Sequence, residues 1–132
     1  MNDDQTQIRR TFERWVEAVC ARDSDGVTAA HTDDIVMFDV QPPYNGIRGL
    51  ADYRDSWPPF FEFIASGAKF EVVEVDVCAG EDVAFLYALL RCGLPEYFVE
   101  KPDVRLRITM GLQKIDGRWL IAHEHHSFPD ED

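Results

Sequence analysis

The sequence predicts an α+β fold in which a cone-shaped, curved antiparallel sheet wraps around N-terminal helices and encloses a pocket. Helical patterns come first in the chain, and strand patterns fill most of its second half. Asp116-Gly117, a strong signal for a tight hairpin turn, separates the last two strand patterns. Because helices followed by antiparallel strands are typical of α+β domains, we expect a single domain over residues 1–132.

Three helices are predicted in the first half of the chain. Apolar residues recur every three or four positions over residues 5–22, which indicates an amphipathic helix. A cluster of Asp, Ser and Gly predicts the start of a short second helix over residues 27–31. Apolar residues at helical spacing predict a third helix over residues 50–57, which Pro58-Pro59 breaks or kinks.

Strand patterns occupy most of the remaining chain. They cover residues 35–40, 69–79, 83–91, 104–115 and 118–127. Residues 83–91 are almost all apolar, as expected of a strand that is covered on both faces. Residues 93–103 contain two prolines and are predicted to be a loop.

The composition excludes several classes of partner. A net charge of −12 repels phosphate backbones and anionic lipids, so neither nucleic acid nor a membrane surface is expected as a partner. The start of the chain is acidic where a secretory signal would be basic and then apolar, which favours a cytoplasmic protein. Three cysteines without Cys-x-x-Cys spacing indicate neither a disulfide framework nor a zinc knuckle.

The predicted hairpin determines which side chains share a face. If Asp116-Gly117 forms a two-residue turn and the pairing continues unbroken, His123 lies opposite Met110 and His125 lies opposite Ile108. One face then carries Leu106, Ile108, Met110, Leu112, Trp119, Ile121, His123, His125 and Ser127. An apolar surface with a few polar groups is typical of a ligand cavity, so this face is predicted to point inward.

The other face of the hairpin is charged and is predicted to face solvent or a partner subunit. It carries Arg105, Arg107, Thr109, Gln113, Glu124 and His126. Arg107, Thr109, Glu124 and His126 are predicted to form a secondary polar network, which is either a cross-strand surface network or part of a site.

Several short motifs follow one another in the order and spacing of a known family. They are Trp15-Val16, Asp23-Ser24-Asp25-Gly26-Val27, Asp33-Asp34-Ile35-Val36-Met37-Phe38, Gly46-Ile47-Arg48-Gly49, Asp116-Gly117-Arg118-Trp119 and His123-Glu124-His125-His126-Ser127. With these motifs nearly the whole chain resembles the SnoaL-like branch of the nuclear transport factor 2-like superfamily. Ketosteroid isomerase, scytalone dehydratase and the association domain of calcium/calmodulin-dependent kinase II share that fold. The resemblance implies a pocket at the open end of a cone and a homodimer, but no single reaction.

The resemblance assigns a role to one carboxylate. Asp39 matches the position of the base of ketosteroid isomerase. The two oxyanion donors of that enzyme fall at Trp15 and near Met110, with Thr109 as the neighbouring choice. Because neither Trp15 nor Met110 can replace an acidic hydroxyl, steroid isomerisation itself is not expected.

Two functions remain open at this level. The first is a cofactor-independent enzyme in which Asp39 with His125 or His123 moves a proton in an isomerisation, cyclisation, dehydration or hydrolysis of a small hydrophobic substrate. The predicted pocket lining is Trp15, Tyr53, Trp57, Met110, Leu112, Trp119 and Ser127. The second is a non-catalytic ligand carrier or dimeric assembly module, in which Asp39 only bonds the adjacent loop.

The same residues are also candidate metal ligands. His123 and His125 could bind Zn²⁺ or Fe²⁺ from one strand face, and Asp39 could complete a three-ligand set. Because spacing alone does not establish the preset ligand geometry that a metal requires, no metal and no other cofactor is predicted.

Overall fold

A computed structural model of the protein describes residues 3–130. The elements in chain order are α1 (Asp3–Ala21), α2 (Ser24–Thr28), β1 (His31–Phe38), β2 (Ile47–Arg48), α3 (Leu50–Asp55), α4 (Pro58–Ala65), β3 (Lys69–Ala79), β4 (Val83–Gly93), α5 (Pro95–Glu100), β5 (Leu106–Ile115) and β6 (Arg118–Ser127). The predicted α+β class is confirmed.

The strands form one curved, open sheet in the order β2-β1-β6-β5-β4-β3. Neighbouring strands are antiparallel except β1 and β6, which run parallel. Since β1 comes early in the chain and β6 last, this pairing brings the end of β1 beside the end of the hairpin. Phe38 of β1 lies opposite His125 of β6.

The core lies between α1 and the inner face of the sheet. The apolar stripe of α1 is buried, including Ile8, Phe12 and Trp15. The inward side chains of the hairpin, such as Ile108 and Ile121, are buried on the sheet side. This burial is the driving force for the amphipathic helix to form against the sheet, since the removal of apolar surface from water is the dominant favourable term in folding.

The start of β1 differs from the prediction. Residues 27–31 were expected to be helical, but α2 ends at Thr28 and β1 begins at His31. Ala30 adopts a left-handed φ of 57°, which turns the chain out of the helix. The carbonyl of Ala30 then accepts a hydrogen bond of 2.7 Å from the backbone N–H of Ile121 and ties this turn to β6.

The structure also differs from the prediction in residues 93–103 and in strand β4. Residues 93–103 were predicted to be a loop but contain α5, which begins at Pro95, where the first turn of a helix tolerates proline. Strand β4 was expected to be covered on both faces, yet Val83, Phe85 and Tyr87 are 60%, 49% and 43% exposed. Their face of the sheet is left uncovered by the described part of the chain.

The hairpin turn forms as predicted, but its register changes along the strands. Asp116 and Gly117 both have positive φ, as a tight two-residue turn requires, and Ile115 pairs with Arg118. Leu112 still lies opposite Ile121, whereas Gly111 lies opposite His123. Ala122 is therefore an extra residue in β6, which is the definition of a β-bulge.

Beyond the bulge, every side chain of β6 points to the face of the sheet opposite to the one predicted. Met110 pairs with Glu124 instead of His123, and Ile108 pairs with His126 instead of His125. Because a shift of one residue exchanges the two faces of a strand, Glu124 and His126 point inward.

No helix of the described residues 3–130 has the length and apolar content to cross a membrane.

Candidate functional site

A buried carboxylate, Glu124, lies at the centre of the inner face of β6. It is fully buried. Its Oε2 accepts a hydrogen bond of 2.7 Å from the hydroxyl of Tyr53 and lies 2.6 Å from Nε2 of His31. Its Oε1 lies 2.9 Å from Nε2 of His126. Three elements, α3, β1 and β6, therefore supply partners to one carboxylate.

These partners keep Glu124 charged. Burial by itself raises the pKa of this carboxyl, but the hydrogen bonds of His126 and His31 outweigh burial and lower the pKa from 4.5 to about 2. A carboxylate only accepts hydrogen bonds, so the ring nitrogen of each histidine that faces it carries a hydrogen and donates. The two imidazoles thus compensate a charge that would be costly to bury alone.

His31 donates from both ring nitrogens. Its Nδ1 lies 2.8 Å from the carbonyl oxygen of Ala29, which also only accepts. The contacts of Nδ1 and Nε2 together assign two hydrogens and a positive charge to this ring. His31 and Glu124 therefore form an ion pair in which both side chains are fully buried.

Tyr53 and Trp15 extend the network away from the carboxylate. Burial, followed by the charge of Glu124, raises the pKa of Tyr53 well above its ordinary value, so its hydroxyl stays protonated and donates. The same hydroxyl accepts a hydrogen bond of 3.0 Å from the indole N–H of Trp15. Both residues were predicted to line a pocket, but they lie in the core with their polar atoms in this network.

His126 connects the buried network to Asp39. Its Nε2 faces Glu124, while its Nδ1 lies 3.7 Å from Oδ1 of Asp39. That separation is too long for a direct hydrogen bond, so a water or a substrate group is needed to join the two. Asp39 follows the end of β1, and its Oδ1 also accepts a hydrogen bond of 2.7 Å from the backbone N–H of Val40. His126 therefore stands between two carboxylates.

Asp39 and His126 both line a cavity of about 940 Å³. Its walls are mostly apolar and include Trp57, Phe60 and Phe70, and the loop that follows β1 borders it. A volume of this order accommodates a drug-sized molecule, and apolar walls with a few polar groups are typical of ligand sites. Among the predicted pocket residues, Trp57 lies at this wall.

The predicted inward position of His123 and His125 is wrong. The bulge at Ala122 turns both imidazoles to the outer face, where their ring centroids lie 5.1 Å and 5.7 Å from that of Phe38. His125 is exposed, and Nδ1 of His123 lies 2.7 Å from the carbonyl oxygen of Val36. The pairing of either histidine with Asp39 across the cavity, for proton transfer or for a metal, does not form.

The remaining predicted residues separate into a core set and an outer set. Met110, Leu112 and Trp119 are buried in the core. Ser127 was predicted to line the pocket, but after the bulge it lies outside and accepts a hydrogen bond of 3.2 Å from Nε of Arg107. In the predicted polar network, Arg107 and Thr109 are exposed, whereas Glu124 and His126 are the inner pair described above. Across the described residues 3–130, no three His, Cys, Asp or Glu side chains are grouped to hold a metal ion.

Sequence reasoning missed His31 altogether and assigned Glu124 and His126 to the wrong face. The sequence contains no local signal for His31, whose place follows from the turn at Ala30. For the bulge a signal exists, because Gly111 lies inside a strand pattern, and an isolated glycine there suggests an irregular register.

The helices, the curved sheet and the cavity between them define a domain with the nuclear transport factor 2-like fold. The model of the SnoaL-like domain family matches residues 8–131, so the chain belongs to that family, whose members bind small molecules and are often isomerase-like.

Several solved structures are similar to this chain in fold. An NTF2-like protein of unknown function from Pseudomonas putida is 31% identical, with a TM-score of 0.85 over 97% of this chain and 88% of the other. A ketosteroid isomerase-like protein from Erwinia carotovora atroseptica is 19% identical, with a TM-score of 0.72 over 99% and 100%. A protein with a cystatin-like fold from Caulobacter vibrioides is 16% identical, with a TM-score of 0.78 over 98% and 92%. No curated protein matches the sequence of this chain.

Proposed function

We propose that this protein is an enzyme that binds a small hydrophobic substrate in the cavity and moves a proton with His126 and Asp39. The observation that carries the proposal is the position of the His126 ring between the buried Glu124 and the cavity carboxylate Asp39. The reaction class is a cofactor-independent isomerisation, cyclisation, dehydration or hydrolysis, in which one group accepts a proton and another returns it.

Glu124 determines which nitrogen of His126 is basic. Because the carboxylate accepts from Nε2, the neutral ring carries its hydrogen there and leaves the lone pair of Nδ1 on the side of Asp39. Nδ1 is the proposed base, which takes a proton from a carbon or hydroxyl group of the substrate or, in a hydrolysis, from the attacking water. The carboxylate behind the ring stabilises the imidazolium that forms, as in other carboxylate–histidine pairs. The proton then returns from Nδ1 to another substrate atom or to the leaving group.

Asp39 acts at the same end of the cavity. Its carboxylate lies within ion-pair distance of Nδ1 and attracts the imidazolium after the first proton transfer. A water or substrate hydroxyl between the two side chains would also allow Asp39 to pass the proton on. This arrangement differs from the pair of acidic hydroxyl donors in ketosteroid isomerase. The hydroxyl of Tyr53 does not act as such a donor, because it already bonds to Glu124 and Trp15.

The test is a comparison of two neighbouring histidines on opposite faces of β6. A panel of small hydrophobic carbonyl and hydroxyl compounds is first screened for turnover. His126→Asn is then expected to lower kcat by about 10²- to 10⁴-fold, the usual contribution of a general acid or base. His125→Asn, on the outer face, is the control and is expected to retain activity. Equal activity of both variants would overturn the role of His126.

A carrier or a dimeric assembly module is the alternative function. The cavity by itself fits a carrier equally well, since a fold of this kind does not imply catalysis. A compound that binds in the cavity and is released unchanged, with Asp39→Asn and His126→Asn affecting only its affinity, would favour the carrier.

We also propose that the protein is a cytoplasmic homodimer. Phe85 and Tyr87 expose apolar surface on the outer face of the open sheet, and exposed apolar patches commonly mark interaction sites. A two-fold dimer buries the same patch on both copies.

The proposed cytoplasmic location is supported by the cysteines. All three are free, which fits a reducing compartment.

A further inference from the structure

We infer that the substrate of this cavity is a hydrophobic cation, such as an organic amine or quaternary ammonium ion with an apolar body. The inference names the ligand class for the proposed function and rests on it, because the same cavity must be the binding site. It starts from the charges on the cavity wall.

Every Asp, Glu, Lys or Arg side chain that lines the cavity among residues 3–130 is an aspartate. Asp52 and Asp55 come from α3, and Asp39 comes from the end of β1. Because positions three apart lie on the same face of a helix, Asp52 and Asp55 present their carboxylates on one side. Among the described residues, three carboxylates and no Lys or Arg border the cavity, so its potential is negative while His126 is neutral.

Asp39 faces His126, but no Lys, Arg or His of the described residues 3–130 neutralises Asp52 or Asp55. Among residues 3–130, neither Asp52 nor Asp55 has a Lys, Arg or His nitrogen within 4 Å. Arg54, between them in sequence, instead pairs with Asp25 at 2.8 Å. The two carboxylates therefore remain available to a positively charged ligand.

The walls suit the apolar body of such a ligand and also its charge. Trp57, Phe60, Phe63, Phe70 and Phe128 all line the cavity. The faces of aromatic rings attract cations, and Trp does so most strongly. Trp57 borders the cavity with a ring that is almost fully buried, at 6% exposed.

An adjoining cavity has the same sign of charge. This second cavity, of about 540 Å³, shares Phe63, Cys92 and Phe128 with the first. Its charged lining residues are Glu96 and Glu100 of α5. A ligand that extends from one cavity into the other therefore meets carboxylates at both ends, whereas an anion would be repelled along the whole path.

The experiment compares three probes that share one apolar body: (2-naphthylmethyl)trimethylammonium, 2-naphthylmethanol and 2-naphthoate. Their dissociation constants are measured by isothermal titration calorimetry at low salt. We expect the cation to bind about three- to tenfold more tightly than the alcohol, and the carboxylate to bind more weakly than the alcohol by a similar factor. Both differences are expected to shrink at high salt.

A matched pair of double variants locates the charge effect. Asp52→Asn with Asp55→Asn is expected to remove most of the preference for the cation and to leave the affinity of the alcohol unchanged. Asp33→Asn with Asp34→Asn changes the net charge equally at two exposed residues of β1 that do not line the cavity, and is expected to preserve the preference. Melting temperatures check that all variants fold.

The outcomes separate this inference from the proposed function. Equal binding of the cation and the alcohol, or an equal effect of the two double variants, would overturn the inference of a cationic ligand and leave the cavity as a binding site. Failure of all three probes to bind would count against both. Binding of the cation with the expected effects, but no role of His126 in turnover, would support the ligand class and contradict only the catalytic proposal.

Discussion

Nε2 of His126 lies 2.9 Å from Oε1 of Glu124, although the two residues are only two positions apart on the same strand. Both side chains point inward because Ala122 is an extra residue in β6. The bulge therefore does two things. It buries an ionised carboxylate behind an imidazole, and it places the other nitrogen of that imidazole at the cavity wall beside Asp39.

The first prediction concerns the stability that Glu124 provides. Glu124→Gln removes the charge that compensates the buried His31 while it preserves the size of the side chain. The loss of one partner of a buried ion pair typically costs about 3–5 kcal/mol in the free energy of unfolding, because the other charge stays buried. Urea denaturation measures this change. Glu81→Gln, at an exposed turn, is the control and is expected to stay within about 0.5 kcal/mol of the unmodified protein.

The second prediction concerns the stability of the protein at acidic pH. The pKa of Glu124 is about 2 in the folded protein and 4.5 ordinarily, so the unfolded chain binds the proton more readily. The stabilisation by this group is therefore fully present above about pH 4.5 and is lost as the pH falls towards about 2. The free energy of unfolding, measured between these limits, should fall more steeply for the unmodified protein than for Glu124→Gln. Parallel curves would contradict the ionised state of Glu124.

The third prediction concerns the hydroxyl of Tyr53. Tyr53→Phe removes the donor to Glu124 and leaves the indole N–H of Trp15 without its acceptor. An unsatisfied buried group of this kind costs about 1–3 kcal/mol, which chemical denaturation resolves. Tyr44→Phe is the matched control, since Tyr44 is 97% exposed. An equal effect of the two variants would show that the Tyr53 hydroxyl does not stabilise the network.

The fourth prediction concerns the proposed dimer. Phe85→Glu places a charge in the exposed apolar face of β4 and is expected to convert a dimer into monomers in sedimentation velocity at micromolar concentration. Val99→Glu, at an exposed apolar residue of α5, is the control and should leave the dimer intact. Sedimentation of the unmodified protein as a monomer would contradict the proposal directly.

Much of the fold could be predicted from local pattern. The bounds of β3 and β6 agree with the predicted ranges residue for residue, because clear turn signals follow β3 and precede β6. The Asp116-Gly117 turn also formed with the expected pairing, since its geometry depends on those two residues alone. α5 was missed because Pro95 was interpreted as a loop signal, although proline also fits the first turn of a helix.

The site could be predicted only in part. Asp39 and Trp57 do lie at the cavity wall. The histidine beside Asp39 was misidentified because one extra residue, Ala122, reverses the faces of β6, and pattern reasoning assumed an unbroken register. The contacts of Glu124 with Tyr53 and His31 join residues 71 and 93 positions apart, and no local pattern encodes such contacts.

The most direct test of the catalytic proposal is the protonation of the His126 ring. Nitrogen-15 NMR, recorded as the pH is raised until the ring is neutral, distinguishes a protonated ring nitrogen from an unprotonated one. The predicted result is a hydrogen on Nε2 and a bare Nδ1 for His126. A hydrogen on Nδ1 with a bare Nε2 would contradict the role of Glu124 and with it the proposed base.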